Sequence, residues 1–170
     1  KLDLVRSVNA RLSQITEIDL LTRQITELVQ ETFDYYYVAI FLIDSDSQRL
    51  KFKASSGADD SDRPDFERQE HPGFRMGEHM IGYVAQTGQE IIANDVTREP
   101  RYQSVDSLAD TAAEVVIPLR VEYQLLGVFD IQANQTQAFD EDDLLVLRVL
   151  ADNISIAIES AHLLHEVRYK

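Results

Sequence analysis

The sequence predicts an α+β domain in which an antiparallel sheet carries its terminal helices on one face. Three observations lead there. Apolar residues recur three and four apart over residues 2–33 and again from Phe139 to the end, the period of an amphipathic helix. Between them lie short runs of aromatic and β-branched residues, joined by tight connections, which read as strands. The stretch from Gly57 to Gly73 has neither period and is rich in Asp, Arg and Pro. A loop that long inside a compact domain is usually functional or mobile.

Residues 2–33 read as a helix in two parts. Val5, Val8, Leu12 and Ile15 form a narrow seam of the coiled-coil type. The seam breaks at Ile18–Asp19, where Asp19 can cap a second helix whose core face is Leu21, Ile25, Leu28 and Val29. Tyr35 to Ile43 is expected to be a central strand buried on both faces, and Leu50 to Ser55 the strand returning after the Asp44-Ser45-Asp46-Ser47 turn. Gly77 to Thr87 predicts a short helix with Met80, Ile81, Val84 and Ala85 on one face and Gly88 as its stop. Glu90 to Ala93 is a short strand. Glu114 to Val121 and Leu125 to Gln132 are stronger ones, joined by Glu122-Tyr123-Gln124. Phe139–Asp140 opens the closing helix, whose acidic first turn suits the positive end of the helix dipole.

The closing helix shows two apolar stripes. Leu147, Leu150, Ile154, Ala157, Ala161 and Leu164 alternate three and four apart, while Leu144, Leu145, Val149, Ile156 and Ile158 make another stripe. Two faces imply two partners. The first is assigned to a second copy of the helix, giving a homodimer, and the other to the helix's own sheet. Burial of both faces within one domain is the competing assignment.

Composition narrows the function. The 170 residues suit one domain, and 30 acidic against 16 basic residues leave a net charge of −14. That field repels phosphate backbones and anionic lipid, so no nucleic acid partner and no direct membrane contact are expected. No stretch approaches the roughly 18 apolar residues of a membrane span. Zero cysteines remove thiol catalysis, thiolate-bound zinc and iron–sulfur clusters, and are compatible with the expected cytoplasmic location. The lack of a starting methionine, and a last helical pattern that runs into Lys170, read as a piece cut from a longer protein.

Several segments, in this order, resemble the GAF domain family. They are Tyr37-Val38-Ala39-Ile40-Phe41-Leu42-Ile43-Asp44, Gly77-Glu78-His79-Met80-Ile81-Gly82-Tyr83-Val84-Ala85, and Gly88-Gln89-Glu90 leading to Ile91-Ile92-Ala93-Asn94-Asp95-Val96. Val115-Val116-Ile117-Pro118-Leu119, Leu126-Gly127-Val128-Phe129-Asp130-Ile131 and Phe139-Asp140-Glu141-Asp142-Asp143 follow. The resemblance implies a six-stranded antiparallel sheet, with terminal helices on one face and a small-molecule pocket under loops and short helices on the other. It also implies a non-catalytic sensory or regulatory domain of a multidomain signalling protein, such as a sensor histidine kinase of a two-component system or a nucleotide cyclase. Its ligand state would pass through dimeric helices to an output domain. On this reading residues 1–17 are a linker helix, 18–158 the GAF domain and 159–170 an extension toward the output domain. A ligand-free dimerisation scaffold with a degenerate pocket is the alternative.

The ligand is an unidentified small molecule. The family's covalent bilin and its methionine sulfoxide reductase chemistry both need cysteines that this chain lacks. The cyclic-nucleotide motif of the family is only partly met, since Asn134 is followed by Gln135 and Phe139 leads to Asp143-Leu144. Haem is not expected: His71 and His79 flank the loop-to-helix region, but no spacing repeats a metal pattern. Asp130 is the most informative residue, because a carboxylate inside an apolar strand must find a donor, a ligand or solvent. Strand alternation puts it on one face with Val128 and Gln132, here assigned to the pocket, with a structural hydrogen bond as the competing role. Asn94 and Asp95 share that ambiguity, since both residue types favour turns for backbone reasons. Phe74, Tyr83 and Tyr102 could line a planar ligand's cavity, and the matching strands add Ala39, Phe41 and Val116.

Overall fold

The computed structural model describes residues 2–169, with side chains placed for residues 17–163. Helix α1 (Leu2–Phe33) leads into strands β1 (Tyr37–Ile43) and β2 (Leu50–Gly57). Helix α2 (His79–Thr87) and strand β3 (Ile91–Ala93) follow the long loop; β4 (Ala113–Val121), β5 (Gln124–Ala133) and helix α3 (Glu141–Tyr169) complete the chain. The sheet is five-stranded, in the order β2-β1-β5-β4-β3, with every neighbouring pair antiparallel.

The sixth strand that the family resemblance implied is absent among the described residues. The segment that would extend the β2 edge carries Pro64, Pro72 and Gly73 and no alternation. It makes a 3-10 turn at Asp65–Glu67 and a single bridge, Leu50 to Phe74, because proline cannot donate to a ladder.

Alternation along the central strands divides the core in two. Val38, Ile40 and Leu42, Val115, Ile117 and Leu119, and Phe129 and Ile131 face the terminal helices, where they meet Ile18, Val29, Leu147, Ala151, Ile154 and Ile158. Tyr37, Ala39, Phe41, Val116 and Val128 face the opposite side, covered by α2, Phe74 and Leu108. The strands approach closely where β5 passes β1. A Cβ on Gly127 would lie 2.0 Å from the Phe41 carbonyl oxygen, so only glycine fits there. Gly88 ends α2 in the left-handed conformation, φ 70°, its N–H donating to the Val84 carbonyl.

Two helical expectations are corrected. Helix α1 is continuous through Ile18–Asp19, because no glycine or proline interrupts it and Asp19 is only half-buried. Its inner face is Ile18, Thr22, Thr26 and Val29, with Leu21 and Ile25 packed at the side and Leu28 67% exposed. Thr22 and Thr26 can be buried because each hydroxyl donates to the carbonyl one turn back, at 2.9 and 3.0 Å. On α3 the assignment of faces holds for Leu144 and Ile158, which are buried against the sheet, and fails for other members of both stripes. Leu147 and Ile154 are buried against the sheet, with Leu150 and Ala161 packed beside them, whereas Leu145, Val149, Ile156 and Leu163 are exposed. The α3 residues that touch the core, Leu144, Leu147, Ala151, Ile154 and Ile158, keep the three-and-four spacing of one helix face. The expected seam at Val5, Val8, Leu12 and Ile15, and its counterpart Leu164, lie outside the residues whose side chains are described.

Candidate functional site

Strand register places three polar side chains side by side on the face away from the terminal helices. In one cross-strand row Gln132 sits between Tyr37 of β1 and Glu114 of β4; in the next, Asp130 sits between Ala39 and Val116. Glu114, Asp130 and Gln132 are all buried, Asp130 to 1% exposure. Gln132 is the clamp. Its Oε1 accepts from the Thr111 hydroxyl at 2.6 Å, and that fixes its amide so that Nε2 donates to Asp130 Oδ2 at 2.8 Å and Glu114 Oε2 at 3.3 Å. With both carboxyls ionised, Asp130 Oδ1 has no hydrogen-bond partner. An orphaned buried polar atom costs about 1–3 kcal/mol, so this one requires an explanation.

Two carboxyls this deep and this close cannot both ionise freely. Burial, then the neighbouring Asp130 charge, push Glu114 well above the usual carboxylate range. Burial also raises Asp130, against hydrogen bonds from Glu114 and Gln132 that pull it down. The pair therefore holds a proton above the ordinary carboxylate range, chiefly on Glu114.

Asp130, Glu114 and Gln132 line a cavity of about 40 Å³, whose other walls include Phe41, Phe66, Phe74, His79, Tyr102 and Val105. Aromatic rings fill much of the space that a larger pocket would occupy. Phe66 packs 5.3 Å from Phe41 and 5.7 Å from Phe74, centroid to centroid. The loop bearing Phe66 is tied to the sheet by charge. Arg63 donates to both oxygens of Glu67, at 3.0 and 2.9 Å, and to the Gly57 carbonyl at 2.9 Å. Glu67 Oε2 in turn accepts from the Ser55 hydroxyl at 2.7 Å and from the Tyr37 hydroxyl. Burial and then the Glu67 charge raise the Tyr37 phenol well above its ordinary value, so it remains a donor. A roomier groove of about 550 Å³ opens between α1, α3 and the far end of the sheet, but its Lys51, Lys53 and Gln48 are exposed and already solvated.

Of the residues proposed from sequence, Phe41, Phe74, Tyr102 and Asp130 converge on the small cavity. Ala39 and Val116 flank Asp130 in the sheet without lining the space. Tyr83, Asn94 and Asp95 stand apart from it. Tyr83 lies under the Arg101 guanidinium, 3.9 Å from its ring centroid. Asn94 bonds both the N–H and the carbonyl of Phe139, fixing the entry to α3. Asp95 caps the next turn by accepting from Thr97 N–H and hydroxyl. Glu114 was missed, although counting back two residues from Val116 places it on the same face. Gln103, Val105 and Leu108 come from a segment without periodicity, and nothing in the sequence marked them. His71 and His79 face Phe74 from two sides, 5.6 and 6.3 Å between centroids. No cluster of three metal-ligating side chains occurs among the described residues.

The site can accept hydrogen bonds and hold a proton. The chain has no cysteine to act as a thiol nucleophile.

Comparison with known proteins agrees with this geometry at the level of the fold. The model of a GAF domain family, described as "GAF domain", matches residues 16–159. A probable 3',5'-cyclic phosphodiesterase of Caenorhabditis elegans is 22% identical over 98% of the chain, which spans only 23% of that protein's length. The solved GAF domain of a phosphoenolpyruvate-protein phosphotransferase from Coxiella burnetii superposes with a TM-score of 0.73 at 19% identity, covering 96% of this chain and 98% of that one. A type II free methionine-R-sulfoxide reductase from Thermoplasma acidophilum gives 0.71 at 19% identity, over 86% and 95%.

Proposed function

The chain belongs to the GAF domain family, and from that premise we propose that it is a non-catalytic, small-molecule-sensing regulatory domain of a multidomain cytoplasmic signalling protein. One observation carries the reading: a fully buried carboxylate oxygen without a partner, Asp130 Oδ1, lines a cavity beneath a separately anchored loop. Such an atom is a standing cost to the fold unless something occupies the cavity. A ligand that satisfies it favours the closed arrangement of the Phe66 loop and α2. The size of the resulting shift equals the ligand's difference in affinity for the closed and open states.

The output leaves through the terminal helices. The exposed stripe Leu145, Val149, Ile156 and Leu163 on α3 is the surface we assign to a second copy of the chain, since Leu147 and Ile154 of the expected seam are buried against the sheet. Helix α1 adds exposed Leu20 and Leu28. A sensor kinase or a cyclase is a fitting parent, since either could read a change in the packing of two helices.

A second reading has its own observation. A cavity of about 40 Å³ is far below the roughly 300–1,000 Å³ of ordinary ligand sites, which favours a scaffold whose pocket is filled by its own phenylalanines. Native mass spectrometry of the purified chain, compared with its denatured mass, separates the two. Sensing predicts a bound mass that denaturation removes and that Asp130→Asn diminishes. A bare mass, together with no thermal shift from any metabolite screened, would leave the scaffold.

A further inference from the structure

We propose that the cavity at Asp130 is a receptor for a compact ammonium head group, the charged end of a small primary amine. This rests on the sensing function above and adds the chemical class of its ligand.

The charge in the cavity selects the sign. Glu114 and Asp130 both line it, and no Lys or Arg does. A phosphate or carboxylate entering there would meet two buried acids with no cation to offset them. A neutral donor would satisfy Asp130 Oδ1 but leave the paired carboxyls sharing a scarce proton. A primary ammonium supplies hydrogen-bond donors and a full positive charge together, and such charge-assisted bonds are the strong ones.

Size and walls agree. A space of about 40 Å³ is close to the roughly 30 Å³ share of one water molecule, so an –NH3⁺ fits and a ring or phosphate does not. The rings of Phe41, Phe66, Phe74 and Tyr102 surround the space, and aromatic faces attract a desolvated cation. An outer cleft of about 470 Å³ shares Phe66, Phe74, Gln103 and Val105 with the cavity. The remainder of the amine would pass between those side chains toward the cleft, so the fit of the tail depends on the Phe66 loop.

Binding is linked to protons. The titratable groups around Asp130 are Glu114 on β4, Tyr37 on β1, Tyr102 on the 99–112 segment and His79 on α2. A cation arriving between the two carboxyls releases the proton they hold, so affinity should rise from pH 5 to pH 8.

The test is calorimetric titration of the whole chain with methylammonium and ethylammonium chloride at constant ionic strength. Potassium chloride, tetramethylammonium, acetamide and cyclic GMP serve as comparisons. Both primary amines should bind saturably, with proton release visible as a heat that depends on buffer. Potassium and tetramethylammonium should not. Loss of a charged hydrogen bond should weaken binding about tenfold or more in Asp130→Asn. Glu114→Gln should weaken it as well, and should abolish the proton release. Absence of saturable amine binding, binding unchanged in Asp130→Asn, or potassium binding as well as methylammonium would overturn the ammonium assignment. If acetamide or cyclic GMP binds instead in an Asp130-dependent way, sensing survives and the ligand class is wrong. If nothing binds and native mass spectrometry also shows no ligand, both readings fall.

Discussion

Both faces of the sheet pack an apolar core but treat polar groups differently. On the helix side the buried hydroxyls of Thr22, Thr26 and Ser155 each donate to a carbonyl of their own helix, and among the described residues no buried side-chain polar atom there is left over. On the pocket side Glu114, Asp130 and Gln132 depend on one another across strands, and one carboxylate oxygen goes without. The first arrangement is what stability alone produces. On the sensing reading proposed above, the second is completed by a ligand, and a fold that confines its unsatisfied chemistry to one face can change on that face while the other stays fixed.

The contrast predicts a hierarchy of effects, the largest on the helix side. Phe129, fully buried between sheet and helices, should cost about 3–5 kcal/mol when truncated to alanine. Phe66 is half-buried in the loop, and its truncation should cost roughly half as much. Urea denaturation measures both; equal losses would break the contrast by making the loop as integral as the core.

Next in size is Asp130→Asn, which removes a buried charge and should raise stability at pH 8 by about 1–3 kcal/mol. Its pH dependence follows from the raised Glu114 and Asp130 carboxyls. In the folded state they hold protons that the unfolded chain has already lost. Stability therefore falls as pH rises from the unfolded carboxyl value, about 4, through the raised folded values. Asparagine should flatten that fall in denaturation midpoints measured from pH 4 to pH 8. The exposed Asp44, Asp59 and Asp95 act in the opposite sense: hydrogen bonds from Ser47, Ser61 and Thr97 lower them, and their contribution is lost only as pH drops further.

Arg63→Ala should cost about 1–2 kcal/mol, with a more local signature. Hydrogen exchange should quicken in residues 57–74 while β4 and β5 keep their protection. The smallest effect on stability belongs to Ile156→Glu, within about 0.5 kcal/mol because the side chain is exposed. On the proposed pairing of α3 with a second copy, sedimentation should nonetheless show weaker self-association, and Leu147→Glu should unfold the chain instead.

Much of this was legible in the sequence where a pattern had only one solution. Strand alternation alone put Asp130 opposite Phe129 and Ile131, and Gly88 marked the end of α2. Periodicity was weaker where a helix carries apolar residues all round. On α3 it found the apolar positions but divided them wrongly, since Leu147 and Ile154 join Leu144 and Ile158 on the sheet, because spacing gives the angle between faces and not which one meets the sheet. In α1 the buried threonines hid the true inner face, since a hydroxyl bonded to its own helix behaves as apolar and hydropathy does not register that. Phe66, Arg63 and Glu67 lie in a stretch without period. Their meeting with Tyr37 and Ser55 depends on tertiary closure, which local pattern cannot supply.

The most direct test of an electrostatically unfinished pocket face is a carboxyl-resolved NMR titration of the ligand-free chain, with Asp130→Asn and Glu114→Gln used for assignment. The Glu114–Asp130 pair should keep one proton above the ordinary carboxylate range and release it on adding methylammonium, while Asp95 is already ionised below that range. If both carboxyls ionise together with the exposed ones near pH 4 and ignore the amine, the pocket face carries no unmet charge, and the account of the site is wrong.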